Sequence, residues 1–281
     1  MTPENITGPI CVHAEAPAWS TAWGGLRWVD GDAADLVTLR ADGIHRLHLD
    51  DDYAAFVRPR ESGGFIAMGS RHAHLADSAD GPTRVAATFD LGSARFNDGT
   101  VDPLGRLLAG SMALDDAGPV GRVLRLDADL TATEVLTGVE TSNGVGFTPD
   151  QRRAYYVDTA TGRIDVFDVD AGELAHRRPF VTVPEGQGAP DGLTVAADGS
   201  VWVALWGGGA VHGYAPDGTR IVRIELPVPQ VTACTFGGDD LDTLFITTSA
   251  QGLDPDHGTE AGSVFAVDAG VRGLPIMPFA G

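Results

Sequence analysis

Apolar and polar positions alternate along this chain in short runs, and the 3.6-residue periodicity of an amphipathic helix is hard to find. Stretches such as DLVTLR (35–40), GRVLRL (121–126) and VWVALW (201–206) are rich in β-branched, aliphatic and aromatic side chains. DG, NG and GG pairs separate them. Strand-length apolar runs between turn-forming pairs predict β-strands joined by tight turns. The expectation is an all-β protein.

The runs also repeat. One phrase consists of a polar residue, an apolar residue four positions on, a turn rich in Asp, Pro and Gly, and then a strand. It occurs at Asn97-Asp98-Gly99-Thr100-Val101, at Asn143-Gly144-Val145-Gly146-Phe147, at Asp191-Gly192-Leu193-Thr194-Val195 and at Thr232-Ala233-Cys234-Thr235-Phe236. A copy nearer the N-terminus is Glu15-Ala16-Pro17-Ala18-Trp19, and a blurred one starts at Tyr53 or Asp52. A second phrase, a strand ending in an acidic or glycine turn, follows each copy: 35–43, 72–81, 121–129, 162–172, 209–218 and 262–270. Six copies of a unit of roughly 45 residues fit a six-bladed β-propeller with four-stranded blades, one domain spanning residues 1–281. A solenoid would repeat more uniformly, and a sandwich would not repeat.

In a propeller the first strand of each blade lines the central channel. The first slot of the phrase therefore places Glu15, Tyr53 (or Asp52), Asn97, Asn143, Asp191 and Thr232 at similar height around one axis. Each residue alone reads equally well as part of a turn, because NG and DG are common turn pairs. As a set in register they form a ring of oxygen donors, and buried carboxylates are costly unless paired with a cation or hydrogen-bonded. Glu15 and Asp191 converging with Asn oxygens suit a divalent ion.

Composition narrows the field. The 281 residues, 43% of them hydrophobic, suffice for a large core, and the formal net charge of −20 argues against nucleic acid and anionic membranes as partners. All 19 basic residues are Arg, so lysine-dependent phosphate loops, kinase chemistry and Schiff bases are excluded. No GxSxG elbow is present. Cys11 and Cys234 form no CxxC knuckle, and Cys234 reads as a small buried hydrophobe. The start, MTPENITGPI, shows neither a basic region nor an apolar signal segment, and no apolar run reaches the ~18 residues of a membrane span. These features predict a cytoplasmic protein, by default a monomer.

Other candidates receive plainer readings. His72 and His74 make an H-x-H pair on one strand face but have no third ligand in register, so they read as blade side chains. His45 and His48 read as surface, and Gly207-Gly208-Gly209 as a tight turn. Trp19 and Trp206 read as aromatic packing. The Asp50-Asp51-Asp52 and Asp239-Asp240 clusters read as solvated turns.

The set Glu15-Ala-Pro-Ala-Trp19, Arg95-Phe-Asn97-Asp98-Gly99, Ser142-Asn143-Gly144 and Pro190-Asp191-Gly192 resembles the regucalcin/gluconolactonase family, also described as senescence-marker and luciferin-regenerating-enzyme-like proteins. The resemblance runs from about residue 11 to residue 273. It implies a six-bladed propeller with one divalent metal in the channel (Ca²⁺, Zn²⁺, Mn²⁺, Mg²⁺ or Fe²⁺), held by Glu15, Asn143 and Asp191 with water. It further implies that Arg95 and Asn97, on one face of an extended strand, contact the substrate, a small-molecule lactone. Some relatives add a glutamate on a loop where this chain offers Asp115 and Asp116 instead. The implied chemistry is opening of a sugar lactone such as gluconolactone, xylonolactone or arabinolactone by a metal-activated water, with Asp191 as general base. A phosphotriesterase or other esterase on the same site, and a non-enzymatic calcium-binding propeller, are the competing readings.

Overall fold

The computed structural model describes residues 1–115, 118–254 and 260–281. Six four-stranded antiparallel sheets make six blades. A short strand, β1 (Glu4–Asn5), comes first, and blade one follows with β2 (Ala14–Ser20), β3 (Gly25–Asp30), β4 (Asp35–Arg40) and β5 (Gly43–His48). Blade two holds β6 (Ala54–Pro59), β7 (Phe65–Gly69), β8 (His72–Ala76) and β9 (Arg84–Thr88). Blade three holds β10 (Ala94–Val101), β11 (Leu107–Ala113), β12 (Gly121–Leu126) and β13 (Ala132–Val139). Blade four holds β14 (Ser142–Phe147), β15 (Arg153–Asp158), β16 (Arg163–Asp170) and β17 (Glu173–Thr182), and blade five β18 (Ala189–Val195), β19 (Val201–Trp206), β20 (Ala210–Tyr214) and β21 (Arg220–Glu225). Blade six is shared between the chain's ends: β22 (Val231–Gly237), β23 (Thr243–Thr248) and β24 (Val264–Asp268) are completed by β1, with Glu4 opposite Ala266. Among the described residues no helix is long and apolar enough to cross a membrane.

The first repeated phrase coincides with the innermost strands β2, β6, β10, β14, β18 and β22, and the second with the third strands β4, β8, β12, β16, β20 and β24. The Asp98-Gly99, Asn143-Gly144 and Asp191-Gly192 pairs of the phrase lie inside strands rather than in turns. Each inner strand is irregular at the same level. Ser142 pairs with Asp158 and Val145 with Tyr156, so Asn143 and Gly144 together face the single residue Val157. Asn97–Asp98 and Asp191–Gly192 are inserted in the same way. A bulge of this kind bends the strand and re-aims a side chain. Here four bulged positions fall in one register: Asn97, Asn143, Asp191 and Thr232.

Two slots differ from expectation. In blade two the inserted residue is Ala55, and Tyr53 and Asp52 lie on the connector before β6. In blade one the inserted pair is Ala16–Pro17, with Glu15 one residue earlier and still paired to Val29. Ala16 has φ 49°, in the left-handed region that non-glycine residues seldom adopt.

Glycine follows the slot in blades four and five because the inner strands crowd one another. A Cβ on Gly144 would lie 2.3 Å from the Leu193 nitrogen, and one on Gly192 would lie 2.4 Å from the Ala233 Cβ. Between the blades the packing is aromatic and aliphatic, with Phe56, Phe65, Phe96 and Phe279 fully buried in the largest cluster. The upper end of the channel is the one where the inner strands begin. Across the lower end runs the C-terminal segment, bridged to Ala196 through Gly273 and to Arg60 through Phe279.

Candidate active site

Three carboxylates are buried at the upper end of the channel: Glu15, Asp98 and Asp191. Burial raises the Glu15 carboxyl to about 8, and the negative charge of Asp98 adds to the shift against the opposing Ala16 N–H, Arg58 and Arg95. Asp191 is pushed well above the usual carboxylate range by burial, then by Glu15 and Asp98. Asp98 is also raised by burial, although Arg58 and the Gly99 N–H oppose it. The left-handed turn at Ala16 lets its N–H donate to Glu15 Oε2.

Amides and a hydroxyl connect the inner strands around the ring. Asn97 Nδ2 donates to Asn143 Oδ1 at 3.1 Å and to the Ser142 carbonyl at 3.0 Å. Asn143 Nδ2 donates to Thr159 Oγ1 at 2.7 Å, and Thr159 Oγ1 donates to the Pro190 carbonyl at 2.8 Å. The sequence blades three, four and five is thereby laced together, with the Asn143 carbonyl oxygen on the Asn97 side. The Thr232 hydroxyl is committed at the seam between blades six and one, donating at 2.7 Å to the Ala14 carbonyl of β2.

Arg95 stands at the rim. Its Nη1 donates to Asn97 Oδ1 at 2.9 Å and to the Phe96 carbonyl at 2.8 Å, and its guanidinium carbon lies 3.8 Å from the centre of the Tyr53 ring. Arg95 and Asn97 are thus brought together, and both remain partly exposed. The Asn97 amide is already committed on both its nitrogen and oxygen sides, so Arg95 is the freer of the two to meet a substrate. His13 is buried nearby, with Nδ1 2.9 Å from Ser249 Oγ and its ring 6.1 Å from that of Trp206. Burial lowers its pKa to about 4, so it is neutral.

Asp98 and Arg58 escaped sequence reasoning. Asp98 directly follows a slot residue within the quoted RFNDG motif, and that position was the available signal. Arg58 lies three residues past Ala55, in the blade with the blurred repeat. It sits below the acids, with Nη2 3.8 Å from Asp98 Oδ1 and Nη1 donating to the Val57 carbonyl at 2.8 Å.

Two other readings change. Asp51 is not a solvated turn residue, because its side chain is only 1% exposed. His72 and His74 do have a third group in reach, and it is Asp51. His45 and His48 lie on the outer strand β5 and are at the surface, as expected. Cys234 is buried, as expected, and its thiol is pushed up by burial, whereas Trp206 lies against His13 at the channel mouth and Trp19 stacks 5.6 Å from Phe245. Asp115 is exposed, and Asp116 lies outside the described residues.

Fold and site together define a six-bladed β-propeller whose channel mouth carries a buried cluster of oxygen donors with an arginine at its rim. The sequence profile of the SMP-30/gluconolactonase/LRE-like region matches residues 13–250. The chain belongs to that family. It is 36% identical to the pentonolactonase XacC of Haloferax volcanii, over 98% of this chain and 97% of the relative. It is 34% identical to the regucalcin of Sus scrofa, over 96% of each. The solved structure of a calcium-binding protein, the regucalcin of Agrobacterium tumefaciens, matches with a TM-score of 0.89 at 26% identity, over 96% of this chain and 94% of that one.

Proposed function

We propose that this lactone-hydrolysing enzyme opens aldonolactones with the help of one divalent cation at the channel mouth, held by Glu15, Asn143 and Asp191. The observation that carries the reading is the concentration of buried carboxylates, Glu15, Asp98 and Asp191, against Arg58 and Arg95 as the nearby positive charge among the described residues. Mutual repulsion and burial favour protonation of these acids. A dication would offset both effects, and an all-oxygen donor set suits a hard ion. The family relationship to a pentonolactonase over almost the whole chain supports the substrate class.

A bound cation would supply Lewis acidity toward the lactone carbonyl and acidify an attacking water. The chain's own groups do the rest. Asp191 takes the proton of the attacking water on a carboxylate oxygen and returns it to the ring oxygen as the ester C–O bond breaks. Arg95, held over Tyr53 and anchored to Asn97, orients the sugar hydroxyls and stabilises the developing oxyanion. Asn97 holds both Arg95 and Asn143 in place. A rim arginine linked to an amide favours a polyhydroxylated substrate over an apolar phosphotriester.

The test is a pH-indicator assay over a panel of pentono- and hexonolactones. The enzyme is compared before EDTA, after EDTA and after return of Ca²⁺, Mg²⁺, Mn²⁺ or Zn²⁺. Activity should disappear with chelator, return with metal and be lost in Glu15→Gln. Full lactonase activity in EDTA-treated Glu15→Gln protein refutes the assignment.

A further inference from the structure

The H-x-H pair on β8 and the connector between blades one and two meet outside the channel. His72 Nδ1 lies 2.8 Å from Asp51 Oδ2, and His74 Nε2 lies 2.9 Å from the same oxygen. All three ligand atoms fall within 4.8 Å of one another. Among the described residues they are the one such grouping of three His, Cys, Asp or Glu side chains. We infer that Asp51, His72 and His74 form a second metal site, selective for Zn²⁺ or a similar borderline transition ion, separate from the channel.

The donor chemistry differs from that of the channel. Two imidazoles and one carboxylate suit zinc and related ions, whereas an all-oxygen set suits calcium, magnesium or manganese. Zinc bonds of about 2.0–2.1 Å in a tetrahedron require ligand atoms roughly 3.3 Å apart. The two His–Asp51 separations are hydrogen-bond lengths and all three atoms lie within 4.8 Å, so small side-chain rotations would bring the triad to that spacing. Each imidazole would then present a lone pair where it now donates a proton to Asp51. His74 is anchored, with its side chain 1% exposed, while that of His72 is 36% exposed and leaves a solvent-facing side for a water as fourth ligand.

The surroundings hold the carboxylate ready. Asp51 Oδ1 accepts from the Asp52 N–H at 2.8 Å and from the Ser70 N–H at 2.9 Å, fixing the group from its far side as outer partners fix metal ligands. Gly69 makes room for it, because a Cβ there would lie 2.0 Å from Asp51 Oδ2. Burial alone would raise the Asp51 carboxyl. Hydrogen bonds from His74, Ser70, His72 and Asp52 outweigh it, so the group is ionised at neutral pH.

An ion here would pin the connector that carries Tyr53, two residues on, to β8 beside the turn that leads into it from β7. The Ser70 carbonyl in that turn accepts from the Phe96 N–H at 2.8 Å, between Arg95 and Asn97. The role is structural: the ion would brace the wall on which Arg95 rests.

The test counts metal without measuring activity. Full-length protein is stripped with EDTA, loaded with Zn²⁺, desalted and assayed for zinc per chain. Wild type should retain one ion more than His72→Ala, and a Glu15→Gln/Asp191→Asn protein should retain the ion that His72→Ala loses. His72 is half-exposed, so its truncation leaves the buried packing intact, and zinc affinity at this site should fall at least about 100-fold. In ¹⁵N-histidine NMR spectra of wild type, added Zn²⁺ should shift His72 Nδ1 and His74 Nε2 from protonated to metal-bound positions. Equal zinc content and affinity in wild type and His72→Ala, or histidine resonances unmoved by Zn²⁺, overturn the inference.

Discussion

At the upper end of the channel the inner strands present Glu15, Asn97, Asp98, Asn143 and Asp191. A few residues further along, the same strands present Pro17, Val101, Val145, Leu193, Val195 and Cys234 around a cavity of about 290 Å³, floored by Leu274, Ile276 and Met277 of the C-terminal segment. One set of strands therefore carries the acids at one end and mostly apolar packing, with Arg58 of β6 beside it, at the other. The bulges separate the two. Above and within them, side chains are re-aimed into a polar ring; below them, regular pairing resumes and apolar groups return. The comparison teaches that a cavity by itself is a poor guide to chemistry, because the lower one lacks the converging acids.

If this division holds, changes at the two ends should have opposite signatures. The largest effect is expected for Asp191→Asn. The kcat/KM for a cleaved lactone should fall about 1,000-fold, while the thermal midpoint of EDTA-treated protein stays level or rises as a buried like charge is removed. Steady-state kinetics and calorimetry on one sample check both. Leu193→Ala, two residues below Asp191, should do the reverse, costing about 3 kcal/mol in denaturant unfolding with kcat/KM within about twofold of wild type. Equal damage to activity would mean the two ends are not independent.

At the rim, Arg95→Ala should reduce kcat/KM about 30-fold, through kcat as well as KM, as expected for losing a charged hydrogen bond that both orients the substrate and stabilises the developing oxyanion. Arg95→Lys should rescue little, because lysine lacks the planar fork that lies over Tyr53 and reaches Asn97. The smallest effect is a pH dependence. Buried His13 at the mouth and His212 in blade five are both held at about 4 by burial, against about 6.5 unfolded. Below 6.5 the unfolded chain takes up protons that the native protein refuses, so stability present above that pH is lost progressively down to about 4. Between pH 6 and 5 each histidine should contribute about 1 kcal/mol to this loss. His13→Gln and His212→Gln should each flatten the curve of unfolding free energy against pH by that amount.

The propeller was legible because the repeat writes itself six times, and its strand phrases survive variation in any one blade. The upward-facing donors were legible for the same reason: Asn97, Asn143 and Asp191 occupy one repeated slot. What the repeat hid was local. Glu15 reaches the channel from one residue off the register because Ala16 adopts a left-handed backbone, which no spacing rule signals. Tyr53 entered the wrong slot since blade two fills that position with Ala55. Asp51 read as one of three solvated aspartates, because nothing linear indicates that Gly69 opens a niche for it beside two histidines about 20 residues away. Partners chosen by three-dimensional proximity, such as Arg58 with Asp98, leave the faintest trace in a linear text.

The tight seams at Gly144 and Gly192 have a consequence for how the protein can diversify. With backbone pressed against backbone there, the bore is set by main-chain thickness and can neither dilate for a bulkier guest nor shrink around a smaller one. Any retuning of substrate preference must therefore be written in the side chains and loops of the rim, leaving the barrel beneath it as a fixed gauge.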